Sequence, residues 1–536
     1  MVCFEPLEDR KLFATYYVSP FGDDKNPGTR QHPWKTVEKV SKMSFQGGDR
    51  ILFQADQTFN GTLYLGPDDK GSRAAPIAIS SYGGEGRARI NGVQGNGLFA
   101  YNTGGLEISK LNFAGPLSWG KGNGIMLFND LPGDVKLDYV RIDQVACIRH
   151  YNGIEIGGNK GASGYRDLWI TNTDVYNNRH AGITTYAAQR NVHEKILVQR
   201  VNAFNNTGLP FEAGTRPPKV TGHGILLSGV NGATVQYSTA FNNGTVGDGG
   251  AGIWTYNSNK VLFQFNESYG NRTNGERDGD GFDFDQNVSN SVMQYNYAHD
   301  NDGAGFLLSS HEDTPYHTNT IIRYNVSQND NRKMEYGSLH VFGRITNSEW
   351  YNNTVYLTPN GRNKEPFGIQ VRNGGIESQD AHSVHFRNNI ITVSGEVKAV
   401  KVTTGQLDGA TDLRFEGNNY YSLDNHLKFQ WGDKDNETNY STLNNWRNAT
   451  GQERLDGAAV GFNVNPRHVQ PAGAITVGNP DLLSTVTAYQ LRSDSPLINR
   501  GLNLAARFNM DIGGRDFLGN PVTPGTMDLG AYEFVG

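Results

Sequence analysis

Four aspartates lie within eight residues near the middle of the chain, in the run Asp278-Gly279-Asp280-Gly281-Phe282-Asp283-Phe284-Asp285. Asp283 and Asp285 are two positions apart on a predicted strand, so their side chains share one face, with α-carbons about 6.7 Å apart. A protonated carboxyl can protonate a leaving oxygen while an ionised one activates water. We therefore predict a catalytic pair at Asp283 and Asp285, with Asp280 and His340 as further acid or base candidates. Which member of the pair is the acid stays open.

Aromatic and cationic side chains are predicted beside this pair. Trp254 and Tyr256 occupy the equivalent positions of the preceding repeat, and stacked strands lie about 4.8 Å apart, so both rings are expected next to the aspartates. Sugar rings can stack on such flat apolar faces. Cationic groups suit a carboxylate or a sulfate on a substrate. The predicted substrate contacts are Trp254, Tyr256, Tyr186, Arg372, Lys219 and His223.

Acidic residues in the turns before the strands indicate a second kind of site. Asp278 and Asp302 fall at equivalent turn positions of adjacent repeats, and Asp280 lies close by. Clustered carboxylate oxygens can hold a hard cation such as Ca²⁺. Aspartates that cap turns by bonding their own backbone explain the same residues without a metal. We expect no required cofactor, and Ca²⁺ held by Asp278, Asp280 and Asp302 is the alternative.

A sequence repeat indicates the elements that must position these residues. The motif Gly-apolar-x-apolar recurs every 24 to 42 residues between Gly97 and Gly368. Side chains alternate along a strand, so the apolar positions should point inward and the residue between them outward. The predicted outward column is Glu155, Thr184, Leu226, Trp254, Asp283, Leu307, His340 and Gln370. A second outward column is Gly157, Tyr186, Ser228, Tyr256, Asp285, Ser309, Phe342 and Arg372.

This repeat predicts an all-β chain, a right-handed parallel β-helix of roughly 12–13 coils. Val37, Val40 and Met43 have the spacing of a short amphipathic helix, which predicts an N-terminal helical cap over the first coil. The predicted organisation is a leader (1–14), the N-terminal cap (15–50), the β-helix (51–420), and irregular C-terminal coils with a closing segment (421–536). The widest gap in the repeat predicts an insertion around 207–222 that crosses one face.

The composition of the chain argues against some classes of binding partner. The 48 Lys and Arg nearly balance the 54 Asp and Glu, and no basic run stands out, which argues against nucleic acid. The longest apolar stretches fall short of about 18 residues, so no transmembrane segment is expected. Two cysteines, Cys3 and Cys147, cannot form a disulfide framework. We expect a monomer whose partner is a polysaccharide or oligosaccharide.

Several segments resemble the right-handed parallel β-helix proteins found among bacterial polysaccharide-degrading enzymes, a superfamily of glycoside hydrolases and pectate-lyase-like proteins. The resemblance rests on the opening 16–34, the central run 278–305, the stretch 323–333 and the close 528–533. It implies the β-helix fold and activity on polysaccharides. The first dozen residues, with Cys3-Phe4-Glu5-Pro6-Leu7-Glu8-Asp9-Arg10, resemble an N-terminal motif of exported bacterial proteins, which implies a secreted or cell-surface protein, with the periplasm as a further option.

Three functions are compatible with these residues. The first is a glycoside hydrolase that cleaves a complex polysaccharide, acidic ones included. It would use Asp283 and Asp285, or one of these together with Asp280 or Asp302. The second is a Ca²⁺-dependent lyase, which needs a base beside a uronate. Some pectate lyases of this fold carry that base just after a Gly-aromatic pair, where this chain has Leu307, although Lys333, His340 or Lys219 could serve. The third is a non-catalytic glycan-binding solenoid, which has no need of clustered acids.

Overall fold

The computed structural model describes residues 13–92, 95–116, 121–210, 220–311, 317–360, 362–363, 365–374, 380–409, 411–432, 436–473 and 475–536. Short strands stack in parallel, each paired with the equivalent strand one coil later, and the chain winds into a β-solenoid of about 12 turns. Short strands joined by frequent turns fit a sequence with 66 glycines and 36% hydrophobic residues. The predicted all-β, parallel β-helix class is confirmed.

One face of the solenoid, called sheet 1, has fourteen strands in the described part of the chain. Its last strand runs antiparallel to its neighbour, and the others are parallel. The strands of sheet 1 are Leu63–Leu65, Leu98–Tyr101, Ile125–Asn129, Asn152–Gly158, Ala181–Ala187, His223–Ser228, Ile253–Tyr256, Phe282–Phe284, Phe306–Ser310, Gly337–Gly343, Phe367–Arg372, Lys398–Val402, Phe429–Trp431 and Thr438–Tyr440.

The remaining faces form a twenty-five-stranded sheet, called sheet 2. Two long strands, Gly164–Tyr176 and His193–Phe204, join its two ladders. The first ladder also contains Thr15–Val18, Arg50–Gln54, Ile77–Tyr82, Leu106–Ser109, Lys136–Asp143, Val230–Gln236, Asn259–Gln264, Ser289–Gln294, Thr318–Arg323, Thr346–Tyr351, His382–Arg387 and Thr411–Glu416. The second contains Thr58–Asn60, Ala88–Asn91, Leu111–Ala114, Ala146–Ile148, Thr239–Phe241, Glu267–Tyr269, Tyr297–His299, Val326–Gln328, Thr354–Leu357, Ile390–Val393 and Asn419–Ser422. A separate short hairpin pairs Arg454–Leu455 with Ala458–Ala459.

The register of sheet 1 confirms the predicted first column. Trp254 pairs with Asp283, Asp283 with Leu307, and Leu307 with His340. The column continues in both directions, from Glu155 to Gln370. The apolar residues that flank this column are fully buried in the solenoid interior, as the alternation requires.

Buried asparagines hold the corners between strands. Each accepts a backbone N–H bond from the previous coil and donates its side-chain amide to the next asparagine. One ladder is Asn178, Asn206, Asn243, Asn271, Asn301 and finally Asp330. A second is Asn266, Asn296, Asn325, Asn353, Asn389, Asn418 and finally Glu453. These side chains satisfy backbone groups that the turns would otherwise leave unpaired in the interior.

Helices are few and short in the described residues: Val37–Ser41 (α1), Thr404–Gly409 (α2), Leu443–Thr450 (α3), Leu504–Phe508 (α4) and a 3-10 helix at Pro480–Thr485. Helix α1 buries Val37 and Val40, and the Ser41 hydroxyl bonds the chain at Thr62 and Tyr64 of the first coil. With five residues, α1 does not clearly form the predicted helical cap. None of the described helices is long and apolar enough to cross a membrane.

Beyond the last coil the chain turns back along the outside of sheet 2. Its contacts include an ion pair between Arg200 and Asp481 and hydrogen bonds from Arg323 and Asn352 to the backbone of Asp511 and Gly530. Most of the insertion predicted around 207–222 lies outside the described residues. The four-part division of the chain stays a prediction.

Candidate active site

A pocket of about 920 Å³ opens on the outer face of sheet 1. Three of the four clustered aspartates, Asp278, Asp283 and Asp285, line it together with His340. Parallel stacking brings these residues together. The three aspartates belong to one coil and the turn before it, and His340 lies two coils further along the same column. The structure thus gathers most of the predicted acid and base candidates around one cavity.

Asp278 reaches the pocket from the turn before the strand Phe282–Phe284. Its φ of 54° and the φ of 86° at Gly279 place both residues in the left-handed region, so the strand alternation does not decide where the side chain points. The side chain is half-buried. Burial, and then the negative charge of Asp285, raises the pKa of Asp278 to about 8. A carboxyl with this pKa is protonated at neutral pH.

Asp283 projects outward between Trp254 and Leu307. Its side chain is only 5% exposed, and its Oδ1 has no hydrogen-bond partner among the described residues. Burial raises the pKa of Asp283 well above its ordinary value, and the charges of Asp285, Asp280 and Asp278 act in the same direction. These surroundings therefore favour the neutral form of the Asp283 carboxyl.

Asp285 follows the strand directly and is half-buried. Its backbone N–H donates to the Thr255 carbonyl at 2.9 Å, which continues the sheet by one residue. Its Oδ1 accepts a hydrogen bond from the Gln286 N–H at 2.9 Å. Asp278 and Asp285 are consequently the two aspartates of the cluster whose side chains are partly open to the pocket.

Asp280, predicted as a further catalytic candidate, is not among the described residues that line the pocket. The side chain is fully buried, and its Oδ1 accepts a hydrogen bond from the Ala304 N–H of the next coil. The Asp280 carboxyl thus connects adjacent coils, and its catalytic role stays a prediction.

The three aspartates predicted to bind calcium do not form an oxygen cage. The Asp302 carboxylate pairs with Arg272 at 3.1 Å and with Arg362 at 3.2 Å. Two guanidinium groups occupy the oxygens that a cation would need. No group of three His, Cys, Asp or Glu side chains suited to a metal occurs in the part of the chain that the structure describes. These residues therefore do not fit a Ca²⁺ site in the arrangement seen.

His340 lies on the pocket wall but is 1% exposed. The Tyr336 ring packs edge-on against it, with ring centroids 4.7 Å apart. Burial lowers the pKa of His340 well below its ordinary value, and the charge of Arg372 adds to this effect. Neither ring nitrogen has a partner among the described residues. His340 is neutral at pH 7, and its predicted role as acid or base stays a prediction.

Trp254 is packed into the wall rather than lying open as a platform. It is 8% exposed, stacks on Tyr256 with centroids 5.4 Å apart, and donates its indole N–H to His223 Nδ1 at 3.0 Å. His223 is itself buried, and burial holds its pKa well below its ordinary value. The neutral imidazole thus fixes the indole, which gives His223 a positioning role.

A smaller pocket of about 450 Å³ continues the groove toward the N-terminal coils. Tyr186 and Glu155 line it, and it shares Trp254 and Asp285 with the larger pocket. Burial, and then the charge of Glu155, raises the pKa of Tyr186 to about 12. The half-buried Tyr186 hydroxyl therefore stays protonated and can donate a hydrogen bond.

The predicted cationic contacts have different outcomes. Arg372 is exposed and lines the larger pocket, while Lys219 lies outside the described residues. Tyr336 and Lys401 also line the pocket and were missed by sequence reasoning. Lys401 continues the outward column beyond Gln370, so one more aligned repeat would have found it. Tyr336 precedes its strand, where no periodic signal exists.

Comparisons with known proteins support this fold. A family model described as "Right handed beta helix region" matches residues 87–355. A lacto-N-biosidase of Bifidobacterium longum subsp. longum is 25% identical over 620 aligned positions, which cover 97% of this chain and 36% of the relative. The chain therefore spans about a third of the length of that curated relative.

Two solved structures are also similar. The crystal structure of a GH136 lacto-N-biosidase from Eubacterium ramulus matches with a TM-score of 0.51 and 16% identity, over 75% of this chain and 68% of that one. The complex of XylC with xylose matches with a TM-score of 0.51 and 10% identity, over 97% and 98% of the two chains. At such identities these structures support the fold alone.

Proposed function

This chain belongs to the right handed beta helix family, and from that premise we propose that it is a glycoside hydrolase in which Asp278 is the general acid and Asp285 the partner carboxylate. The observation that carries the proposal is the pair of aspartates partly open to one pocket, with the pKa of Asp278 raised to about 8. The lacto-N-biosidase relative, itself a glycosidase by name, supports the same reaction class.

The two carboxyl groups divide the reaction between them. Asp278 is protonated at neutral pH and gives its proton to the glycosidic oxygen as the bond to the anomeric carbon breaks. Asp285 either attacks that carbon, forming a covalent intermediate that water then hydrolyses, or takes a proton from the attacking water. In both cases the proton lost by Asp278 is replaced at the end of the cycle, so the products are two free sugars.

Asp283 has a supporting part in this scheme. In its neutral form, which burial favours, the Asp283 carboxyl beside Trp254 adds no negative charge to that of Asp285, and it can donate a hydrogen bond to a sugar hydroxyl. In the sequence, Asp283 is a central candidate because it shares a strand face with Asp285. Its deeper burial in the structure favours the half-buried Asp278 for proton transfer.

Elimination on a uronate has less support from the geometry. A lyase needs a base that can remove the proton next to the carboxylate. The Lys333 ammonium group donates to the carbonyls of Thr273 and Gly275 at 2.8 and 2.7 Å, so it is already bound to the backbone. Leu307 occupies the position where the lyase resemblance would place the base.

The test is product analysis with matched variants. The protein is incubated with a panel of plant, algal and animal glycans and with an aryl lacto-N-bioside. New reducing ends without ultraviolet-absorbing unsaturated sugars support hydrolysis, and unsaturated products would establish a lyase instead. Asp278→Asn and Asp285→Asn should each lower kcat by at least about a hundredfold. Asp138→Asn on sheet 2 is the control.

Full activity in both site variants would overturn the assignment, and the anomer of the product shows whether Asp285 is nucleophile or base.

We also propose that the protein acts outside the cytoplasm. Its proposed substrate is a polysaccharide or oligosaccharide, which a cell meets outside its membrane. The segment that resembles an export motif, 1–12, lies outside the described residues. Fractionation of cells that produce the full chain tests this directly, because a protein found only with the cytoplasmic fraction contradicts it.

A further inference from the structure

The larger pocket is acidic at one end and basic at the other. Asp278, Asp283 and Asp285 lie at the acidic end, and Arg372 and Lys401 line the opposite end. Three coils separate Asp285 from Arg372 in the outward columns, which corresponds to about 14 Å at the usual strand spacing. A bound glycan that crosses the pocket along the solenoid axis therefore meets both charges.

Arg372 is placed as a binding group rather than as part of the scaffold. Its guanidinium lies 5.0 Å from the centre of the Phe342 ring, directly across the sheet register. Phe342 thus supports the guanidinium through its ring, a contact that takes no hydrogen-bond acceptor for the N–H groups. The side chain is exposed, so a ligand can reach it.

Other arginines around the pocket have carboxylate partners. Arg272 pairs with Asp302 at 3.1 Å, and Arg277 pairs with Asp248 at 3.1 Å. Arg372 has no hydrogen bond or ion pair with any residue that the structure describes. A cation held on an aromatic ring in a substrate groove, without its own counter-ion there, is suited to an anionic group of the ligand.

We propose that the Arg372 end of the pocket binds an acidic substituent, a carboxylate or a sulfate, on a sugar beyond the point of cleavage. This proposal rests on the proposed hydrolase function and names its substrate class, an acidic oligosaccharide or polysaccharide. The separation of about 14 Å exceeds the Debye length of about 8 Å at physiological salt, so the aspartates repel such an anion only weakly. At the acidic end itself a carboxylate or sulfate is disfavoured by like charge.

The test measures binding directly, so that it does not depend on catalysis. Calorimetric titrations use hexameric oligogalacturonate and its carboxyl-reduced form, and chondroitin 4-sulfate hexasaccharide and its desulfated form, each with the wild-type protein, Arg372→Gln and Arg89→Gln. Arg89 is an exposed arginine on sheet 2 and is the matched control. Thermal unfolding checks that the variants are folded.

We expect at least one acidic probe to bind, with an affinity about tenfold higher than that of its neutralised form, as one charge-assisted hydrogen bond provides. Arg372→Gln should remove this difference, while Arg89→Gln keeps it. Carboxyl reduction and desulfation then show which anion is bound. Binding of neutral probes only, binding of none of the four, or equal affinities in Arg372→Gln and wild type would overturn the proposal. If the acidic probes bind through Arg372 but no glycan is cleaved, the hydrolase function is refuted while the proposed anion-binding site is supported.

Discussion

Asp278 and Asp283 carry the same functional group in different surroundings. Asp283 stands in the middle of sheet 1 with sheet neighbours on both sides, and its side chain is 5% exposed. Asp278 lies in the turn, is only half-buried and lines the pocket. Both have raised pKa values, but a general acid must also reach the leaving oxygen. The two aspartates therefore differ in role because of their access to the substrate, more than because of their pKa values.

The pKa of Asp278 predicts the basic limb of the pH profile. A general acid acts in its protonated form, so kcat should be steady below pH 8 and fall about tenfold per pH unit above it. Asp278→Asn should remove this limb. The same variant should lose far less activity on an aryl glycoside with a good leaving group, because that oxygen leaves without a proton. Steady-state kinetics between pH 5 and pH 10 check both points, and a limb that persists in Asp278→Asn would contradict the assignment.

His223 is predicted to act on substrate binding through Trp254. His223→Phe removes the acceptor of the indole N–H at 3.0 Å, and an unpaired buried donor costs about 1–3 kcal/mol. We expect a higher KM with little change in kcat, and partial rescue by His223→Gln, which restores an acceptor. Exposed His426 offers the control variant His426→Phe. If KM stays at its wild-type value in His223→Phe, the indole position does not matter for binding.

The sequence predicted which residues face the pocket from strands, and it failed at the turns. Trp254, Asp283 and His340 follow the two-residue alternation, so alignment of repeats was enough to place them. Asp278 and Asp280 lie beside Gly279 in the turn, where φ is positive at Asp278 and Gly279, and there the backbone conformation decides the side-chain direction. The sequence therefore predicts Asp278 as a metal ligand and Asp280 as a metal ligand or a catalytic group, whereas their positions favour proton transfer for Asp278 and coil packing for Asp280.

At the scale of the elements, the corner ladders explain how short strands stay in register. Asn266 is fully buried, accepts from the Ser238 N–H at 3.0 Å, and donates to Val235 O and Asn296 Oδ1. Such a network is strong only while every member is satisfied. The abundance of asparagine is visible in the sequence. Which asparagines bond to each other depends on the spacing of the coils, and this spacing cannot be derived from the sequence alone.

Two substitutions in one coil test the ladder. Asn266→Ala removes the hydrogen bonds to the Ser238 N–H and the Val235 carbonyl, while Asn296 Oδ1 still accepts from the backbone N–H of residue 266. With two buried polar groups deprived of these bonds, we expect a loss of about 2–5 kcal/mol in the free energy of unfolding. Gln264 belongs to a half-buried glutamine ladder of the same coil, where water can replace the lost bonds. Gln264→Ala should therefore cost less than about 1 kcal/mol. Urea unfolding of both variants gives the comparison, and equal losses would mean that the buried ladder adds no special stability.

At the scale of the whole molecule, the C-terminal segment binds distant coils together. After helix α3 it runs back along sheet 2 and covers the tyrosines Tyr297, Tyr324 and Tyr351 with apolar side chains of its own. It contacts coils as far back as Arg200. Nothing in the sequence of this segment is periodic, so its path could not be predicted. Its contacts form only after the solenoid has folded, because the residues that it binds are far apart in the sequence and lie side by side only on the folded coils.

Glu267 is a fully buried residue that holds the C-terminal segment, and it gives a prediction for the whole molecule. Its carboxylate accepts hydrogen bonds from the N–H groups of Val477 and Gly478 at 2.7 and 2.6 Å, and His299 Nε2 lies 3.2 Å away. In Glu267→Gln the side-chain amide can accept only one of these two N–H hydrogen bonds, because its NH₂ group is itself a donor. Segment 475–490 should therefore open locally. Hydrogen exchange should report at least about tenfold faster exchange there. Exposed Glu437 provides the control Glu437→Gln.

The same contact should weaken as the pH rises. Burial acts to lower the pKa of His299, but its hydrogen bonds to Asp300 and Glu267 outweigh burial and raise the pKa above 6.5. A raised pKa in the folded state means that protonated His299 stabilises the contact at low pH and that this stabilisation is lost as the pH passes through the folded pKa. After correction for intrinsic rates, exchange in 475–490 should therefore be faster at pH 8.5 than at pH 6 in the wild type. His299→Gln should remove this pH dependence, whereas a dependence that survives the substitution would show that another group controls the closure of the C-terminal segment.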